Sequence, residues 1–200
     1  MAETNNNQAN FDSGQQYLAG VYAKALIGAS EQAGNQAEVL QELESLVDES
    51  LDDVADFRYI GASVMGRYFR NATPEQRSRF VETFRDTLIE TYARGLVTFD
   101  YREIRVLDDD DAGRYEDQAS VDMEVVSTNG EVYPVVYTLH QRDGEWRVIN
   151  VIVNGINLGL TFRNQFDQAM RDNNRDIDAV IDGWAPEVAT DELEQGGSDQ

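Results

Sequence analysis

Few residues in this chain are equipped for chemistry, and their spacing narrows them further. His140 is the only histidine. Any Ser-His-Asp arrangement must therefore use it, and no G-x-S-x-G nucleophile elbow accompanies it. It alternates with Leu139 and Gln141 just before a hairpin and reads as a partly exposed strand residue with no catalytic role. There is no cysteine, which removes disulfide scaffolds, thiol catalysis and zinc–thiolate sites. Lys24 is the only lysine, so a Schiff-base enzyme is not expected. Neither G-x-G-x-x-G nor G-x-x-x-x-G-K occurs, so no phosphate-cradling loop is in view. The run Asp108-Asp109-Asp110-Asp111 offers the hard oxygens that calcium takes. It lacks the alternating D-x-D-x-D-G spacing that turns carboxylates inward, and reads as a solvated loop. The expectation is no catalytic residue, no metal site and no cofactor.

Charge and composition narrow the partners. Against 38 acidic residues stand 16 basic ones, a formal net charge of −22. A nucleic acid would repel such a surface rather than release counterions to it. Spontaneous docking or insertion at an anionic membrane, which needs a basic patch, is equally disfavoured. Acid-rich, lysine-poor surfaces suit proteins working in high salt, where self-repulsion is screened. At 41% hydrophobic and 10% aromatic over 200 residues, the chain can still bury one sizeable core. No stretch approaches the roughly 20 apolar residues of a membrane-spanning helix. Met1 is followed by the polar run Ala2 to Asn10 rather than by a secretory leader. The absence of cysteine fits an oxidising or a reducing compartment equally well.

The elements that must position any site follow from periodicity. Residues 1–13 read as a disordered polar lead-in, and 187–200 as an acidic flexible tail. Tyr17 to Ala25 and Val39 to Leu51 each carry an apolar face at helical spacing. A third helix is predicted from Phe57 to Phe69, with Phe57, Ile60, Val64 and Tyr68 on one stripe. Gly61 and Gly66 inside it call for a close packing contact or a ligand. Thr73-Pro74-Glu75-Gln76 is a capping box with proline at the first helical position; it opens a helix bearing Phe80, Phe84, Leu88, Tyr92 and Leu96.

The period then changes to alternation. Ile104 and Val106 sit in a short strand; Val121, Met123 and Val125 alternate with Asp122 and Glu124. Thr128-Asn129-Gly130 and Asp143-Gly144 mark hairpins on either side of a strand bearing Tyr133, Val135, Tyr137 and Leu139. Trp146 to Val153 is the last strand, apolar on both faces (Val148 as well as Ile149). Leu158, Phe162, Phe166 and Met170, then Ile177, Val180, Ile181 and Trp184, make two closing helices, ended by Pro186. The class is α+β: a single domain over 14–186, with a helical part at 14–98 and 156–186 and a sheet part at 99–155. A curved antiparallel sheet of about four strands would be wrapped by about five to seven helices. So much apolar surface either fills a core or lines a large pocket, and periodicity does not separate the two.

Two blocks of residues do. The first is Gly66-Arg67-Tyr68-Phe69-Arg70-Asn71-Ala72-Thr73-Pro74-Glu75-Gln76-Arg77, continuing through Phe80, Phe84 and Arg85 to Thr91-Tyr92. The second is Gly144-Glu145-Trp146-Arg147-Val148-Ile149-Asn150-Val151, then Gly155-Ile156-Asn157-Leu158 and Phe162-Arg163-Asn164-Gln165-Phe166. Together they resemble the MlaC family, also called toluene-tolerance auxiliary proteins, over roughly residues 15–185. The family often has Val-Ser where this chain has Ile156-Asn157, and a glycine where it has Asn173-Asn174-Arg175.

The resemblance implies a periplasmic phospholipid carrier, reached with a leader since removed, on a nuclear-transport-factor-2-like fold with an apolar lipid cavity between sheet and helices. Its implied partners are phospholipid, the MlaD-type ring of an inner-membrane ABC transporter and an outer-membrane MlaA–porin complex, in the service of outer-membrane lipid asymmetry. Candidate wall residues are Ile60, Val64, Tyr68, Phe84, Leu88, Tyr92, Val135, Tyr137, Val151, Val153, Ile156, Leu158 and Phe162. Arg67, Arg70, Arg77 and Arg163 are either solvated surface or contacts to head group or partner. Two other readings stay open. One is a small-molecule enzyme of the same fold, which would need an Asp or Glu on an inward strand position, whereas Asp122 and Glu124 should point outward. The other is a ligand-free interaction module.

Overall fold

A computed structural model describes residues 55–98, 101–107 and 117–186. The expected lead-in, the two helices before Leu51, the Asp108–Asp111 run and the acidic tail lie outside these residues.

The first helix, α1 (Phe57–Met65), starts where the Asp56 carboxylate accepts the Tyr59 N–H, a side-chain N-cap. It stops at Gly66, whose φ of +54° the helix cannot continue through. The predicted helix to Phe69 is thus shorter, with a 3₁₀ turn (Gly66–Tyr68) completing it. Gly61 meets a packing need: a Cβ there would lie 2.8 Å from Val81 Cγ2 on the next helix. That helix, α2 (Pro74–Thr98), opens with the capping box as expected. The Thr73 N–H donates to Gln76 Oε1 (2.9 Å) and the Gln76 N–H to Thr73 Oγ1 (3.2 Å).

Five strands follow: β1 (Tyr101–Val106), β2 (Gln118–Ser127), β3 (Val132–Arg142), β4 (Glu145–Val153) and β5 (Ile156–Asn157). They form one antiparallel sheet in the order β1-β2-β3-β4-β5. The expectation of a curved four-stranded sheet wrapped by five to seven helices is corrected. The sheet is open and uncurled, with a fifth strand, and the described residues contain four α-helices. Its register slips only between Tyr101 and Glu103 and between Thr138 and Leu139, so few bulges are available to bend it. The fifth strand arises from Asn154-Gly155, where both residues have positive φ (49° and 84°); this turn sends the chain back along β4. Asp143-Gly144 makes the same kind of turn between β3 and β4. At the β2–β3 hairpin only Gly130 takes positive φ, because a three-residue loop closes it between Ser127 and Glu131.

The remaining helices are α3 (Leu158–Asp172) and α4 (Ile177–Asp182). Asn157 caps α3 by accepting the Leu160 N–H, and Asp176 caps α4 by accepting the Ala179 N–H. Helix α4 ends at Gly183 rather than at Pro186. Trp184 is nonetheless buried, edge-on to Phe80 at 5.3 Å. Arg79 on α2 holds α4 through Asp178 (2.6 Å) and Asp182 (2.5 Å).

Candidate functional site

Register sorts the strand residues onto two faces. Val135 pairs with Met123 and Val153, and Tyr137 with Val121 and Val151. Leu139 pairs with Val148, and Ile156 on β5 with Val153. One face, the front, therefore carries Val121, Met123, Val135, Tyr137, Leu139 and Val148 as a buried apolar cluster, with Val125, Trp146, Val151 and Val153 packed on its margin. Ile156 is half-buried at the edge of the same face. Burial alone pushes the Tyr137 phenol well above the usual tyrosine range. The buried Trp146 indole N–H has no partner among the described residues. The back face is polar across β1 and β2, where Arg105 lies opposite Glu124 and Asp122 opposite Val136. Asp122 and Glu124 thus sit away from the apolar front, as expected, and an acid–base pair in an apolar pocket finds no carboxylate there among the described residues.

The helices form a second apolar cluster of their own. Val64, Tyr68, Phe84 and Phe162 are buried in it with Phe80, Phe166, Met170 and Trp184, while Ile60, Leu88 and Leu158 pack against it. Its rings interlock: Phe84 meets Phe162 edge-on at 5.3 Å, and Phe80 meets Phe166 at 4.8 Å. The predicted wall residues therefore divide. Val135, Tyr137, Val151, Val153 and Ile156 share the sheet's front face. Ile60, Val64, Tyr68, Phe84, Leu88, Leu158 and Phe162 belong to the helical core. Tyr92 falls in the last two turns of α2.

Helices α1 and α3 reach the sheet along the β4 edge and the back face. Ala55 bridges Val148 in parallel, and the Asp56 N–H donates to the Val148 carbonyl (3.0 Å). The Asp56 carboxylate then reaches His140 Nε2 (3.0 Å) and Arg142 (3.4 Å) on β3, both back-face residues. Burial pushes this carboxyl up, but the Tyr59 N–H, His140 and Arg142 together outweigh it and hold it below the usual carboxylate range. His140 is a partly exposed strand residue, as expected, with 13% of its side chain exposed. Its work is to join helix to sheet. Sequence reasoning missed Asp56; the available signal was an aspartate directly before the apolar stripe that begins at Phe57. Two residues further along β4, the Asn150 side-chain oxygen accepts the Gly159 N–H at 3.1 Å. A Cβ on Gly159 would lie 2.5 Å from that oxygen, so a larger residue there must push the Asn150 side chain aside.

The arginines also divide. Arg77 donates to the Phe69 carbonyl (2.9 Å) and lies over the Phe69 ring, closing the turn before α2. Arg67 and Arg171 both pair with Asp167, whose carboxylate also accepts the Tyr68 hydroxyl (2.9 Å). Tyr68 and the two arginines hold the Asp167 carboxyl below the usual range. Among the described residues, no group of histidines and carboxylates could hold a metal ion, and no helix is long and apolar enough to cross a membrane.

Residues 11–186 match the family described as MlaC protein. The chain belongs to the MlaC family. It is 48% identical over 142 residues to toluene tolerance protein ttg2D of Pseudomonas putida, covering 70% of this chain and 64% of that protein. It is 24% identical over 131 residues to the intermembrane phospholipid transport system binding protein MlaC of Haemophilus influenzae, covering 62% and 60%. The chain thus spans somewhat under two thirds of the curated relatives it matches. The same fold occurs in the phospholipid-binding protein of Ralstonia solanacearum, solved in complex with a phospholipid (TM-score 0.73, 24% identity, 91% of this chain and 97% of that one).

The blocks that carry the family resemblance now have places. The first runs from the Gly66 helix stop through the capping box into α2, and the second from the Asp143-Gly144 turn along β4 and β5 into α3. In the turn before α4, Asn174 and Arg175 take positive φ (55° and 64°).

Proposed function

We propose that this MlaC-family chain carries glycerophospholipid through the periplasm, with acyl chains against the front face of the sheet. A contiguous stripe of Val121, Tyr137, Val151, Met123, Val135, Val153 and Ile156 on one side of an open sheet carries this reading. Support comes from family membership and from the shared fold of a protein solved with phospholipid. Each acyl CH₂ removed from water is worth about 0.8 kcal/mol, so two chains do not cross an aqueous space unescorted. The sheet supplies apolar area without charge, which suits tails and leaves the head group to solvent. Ile156, half-buried on the short edge strand, marks where the stripe meets solvent. With a net charge of −22, the carrier is repelled by anionic bilayers and exchanges lipid by docking on proteins: an MlaD-type ring at the inner membrane and an MlaA–porin complex at the outer. This is transport rather than catalysis, with the lipid as cargo and no cofactor.

The test is uptake of a fluorescent diacyl phospholipid by purified protein. Wild type is expected to saturate, and Ile156→Glu to lose uptake while keeping the wild-type circular dichroism spectrum and melting point. Full uptake by that variant would overturn the placement of the lipid on the front face.

A further inference from the structure

In a chain with more than twice as many acids as bases, one surface gathers arginines around a single carboxylate. Arg163 and Arg171 stand one helical turn either side of Asp167 on α3, and Arg67 reaches the same carboxylate from the turn after α1. Two guanidinium groups pair with that carboxylate, and that of Arg163 lies beside Gly66. The side chains of Arg67 and Arg171 are 69% and 58% exposed, and Arg163 and the nearby Arg70 are exposed too. Among the described residues no carboxylate lies within ion-pair distance of Arg163 or Arg70. The chain also shapes its backbone around this group: a Cβ at Gly66 would lie 3.0 Å from Arg163 Nε, at a residue already in the left-handed region. Asp167 pairs with two of these arginines, and the positive charge left over is what an anionic surface can meet.

We propose that Arg67, Arg163 and Arg171 form the docking surface on which an acidic protein partner seats. The inference rests on the carrier reading above, because it supplies the contact through which lipid changes hands. An anionic bilayer fits less well. It is broad and flat, so it would bring the acidic remainder of the surface within a Debye length, about 8 Å at physiological salt. A protein edge can touch the arginines alone. The lipid head group is set aside because the cluster stands on the helical core, whereas the apolar stripe is on the front of the sheet.

The test uses full-length Arg67→Gln/Arg163→Gln/Arg171→Gln beside wild type, with Arg105→Gln on β1 as a control remote from the cluster. Binding is measured by surface plasmon resonance to the soluble domain of the MlaD-type ring and to the MlaA–porin complex. At least one partner is expected to bind the triple variant about tenfold or more weakly, with Arg105→Gln unchanged and wild-type affinity falling from about 50 to about 500 mM salt. Co-purified lipid should be the same in all three proteins, and circular dichroism checks their fold. Wild-type affinity of the triple variant for both partners, or binding indifferent to salt, would overturn the proposal. So would wild type that binds neither partner. Arginine-dependent binding to vesicles containing about 30% phosphatidylglycerol would reassign the cluster to a bilayer, and loss of co-purified lipid would reassign it to the head group. Wild type devoid of lipid, with arginine-dependent docking intact, would overturn the carrier reading and leave the docking surface standing.

Discussion

Asp56 is where the helical core and the sheet are held together, and removing it should cost more than any single contact it makes. In Asp56→Ala the α1 N-cap is lost, typically about 1 kcal/mol. The mostly buried His140 ring loses its partner at Nε2, at about 1–3 kcal/mol. The Arg142 side chain is 58% exposed, so that pair adds no more than about 1 kcal/mol. The sum is a loss of about 2–5 kcal/mol. Asp56→Asn keeps an equally good cap and loses only the charge, so about 1–2 kcal/mol is expected. The two variants also separate by pH. The Asp56 carboxyl is held below its unfolded value of about 3.9. Its charge therefore stabilises the fold fully above pH ~4, and that contribution is lost as pH falls below ~4 through the folded value. Urea unfolding at a series of pH values reads both effects, with the m-value checking that the transition stays two-state. The gap between wild type and Asp56→Asn should close toward acid. An Asp56→Ala variant within about 0.5 kcal/mol of wild type, or a wild-type-to-Asn gap independent of pH, would refute the reasoning.

Phe84 is fully buried among the rings of Phe80, Phe162 and Trp184. Phe84→Ala should cost about 3–5 kcal/mol in urea unfolding, yet leave the lipid carried per folded molecule unchanged, since Phe84 belongs to the helical core. Gly159→Ala, normally neutral or favourable in a helix, should here lower stability by about 1–2 kcal/mol by pushing on Asn150. The double variant Gly159→Ala/Asn150→Ala should lose less than the sum of the singles. Arg175→Gly should raise the melting point, gaining about 0.5–1 kcal/mol by relieving a left-handed arginine.

How legible the fold was depended on whether a residue's neighbours in space were also its neighbours in sequence. The capping box at Thr73 and the Asp143-Gly144 turn are local hydrogen-bond chemistry, and both stand where the sequence places them. The alternation of Val135 and Tyr137 on β3 places them together on one face, which the register bears out. Asn154-Gly155 was an equally strong hairpin signal. The strand it opens is only Ile156–Asn157 before α3 begins, too short to leave an alternation in the sequence. Gly66 was legible as an anomaly inside a helical stripe but not as the helix's end, since periodicity continues through Tyr68 on the 3₁₀ turn.

The candidate site was less legible than the fold. Apolar periodicity marks a filled helical core and an apolar sheet face alike, so Phe84 and Val135 look the same in the sequence. Only cross-strand register and ring contacts part them. Contacts between distant segments, such as Asp56 with His140 or Arg67 with Asp167, leave no spacing in the sequence to find.

The central claim is that this chain travels with a lipid. Native mass spectrometry of the full chain, purified without detergent and followed by organic extraction, addresses it most directly. The account predicts a bound mass of one diacyl glycerophospholipid per chain, lost in Ile156→Glu. A wild-type chain that is empty in the spectrum, and stays empty after incubation with phospholipid vesicles, would contradict it.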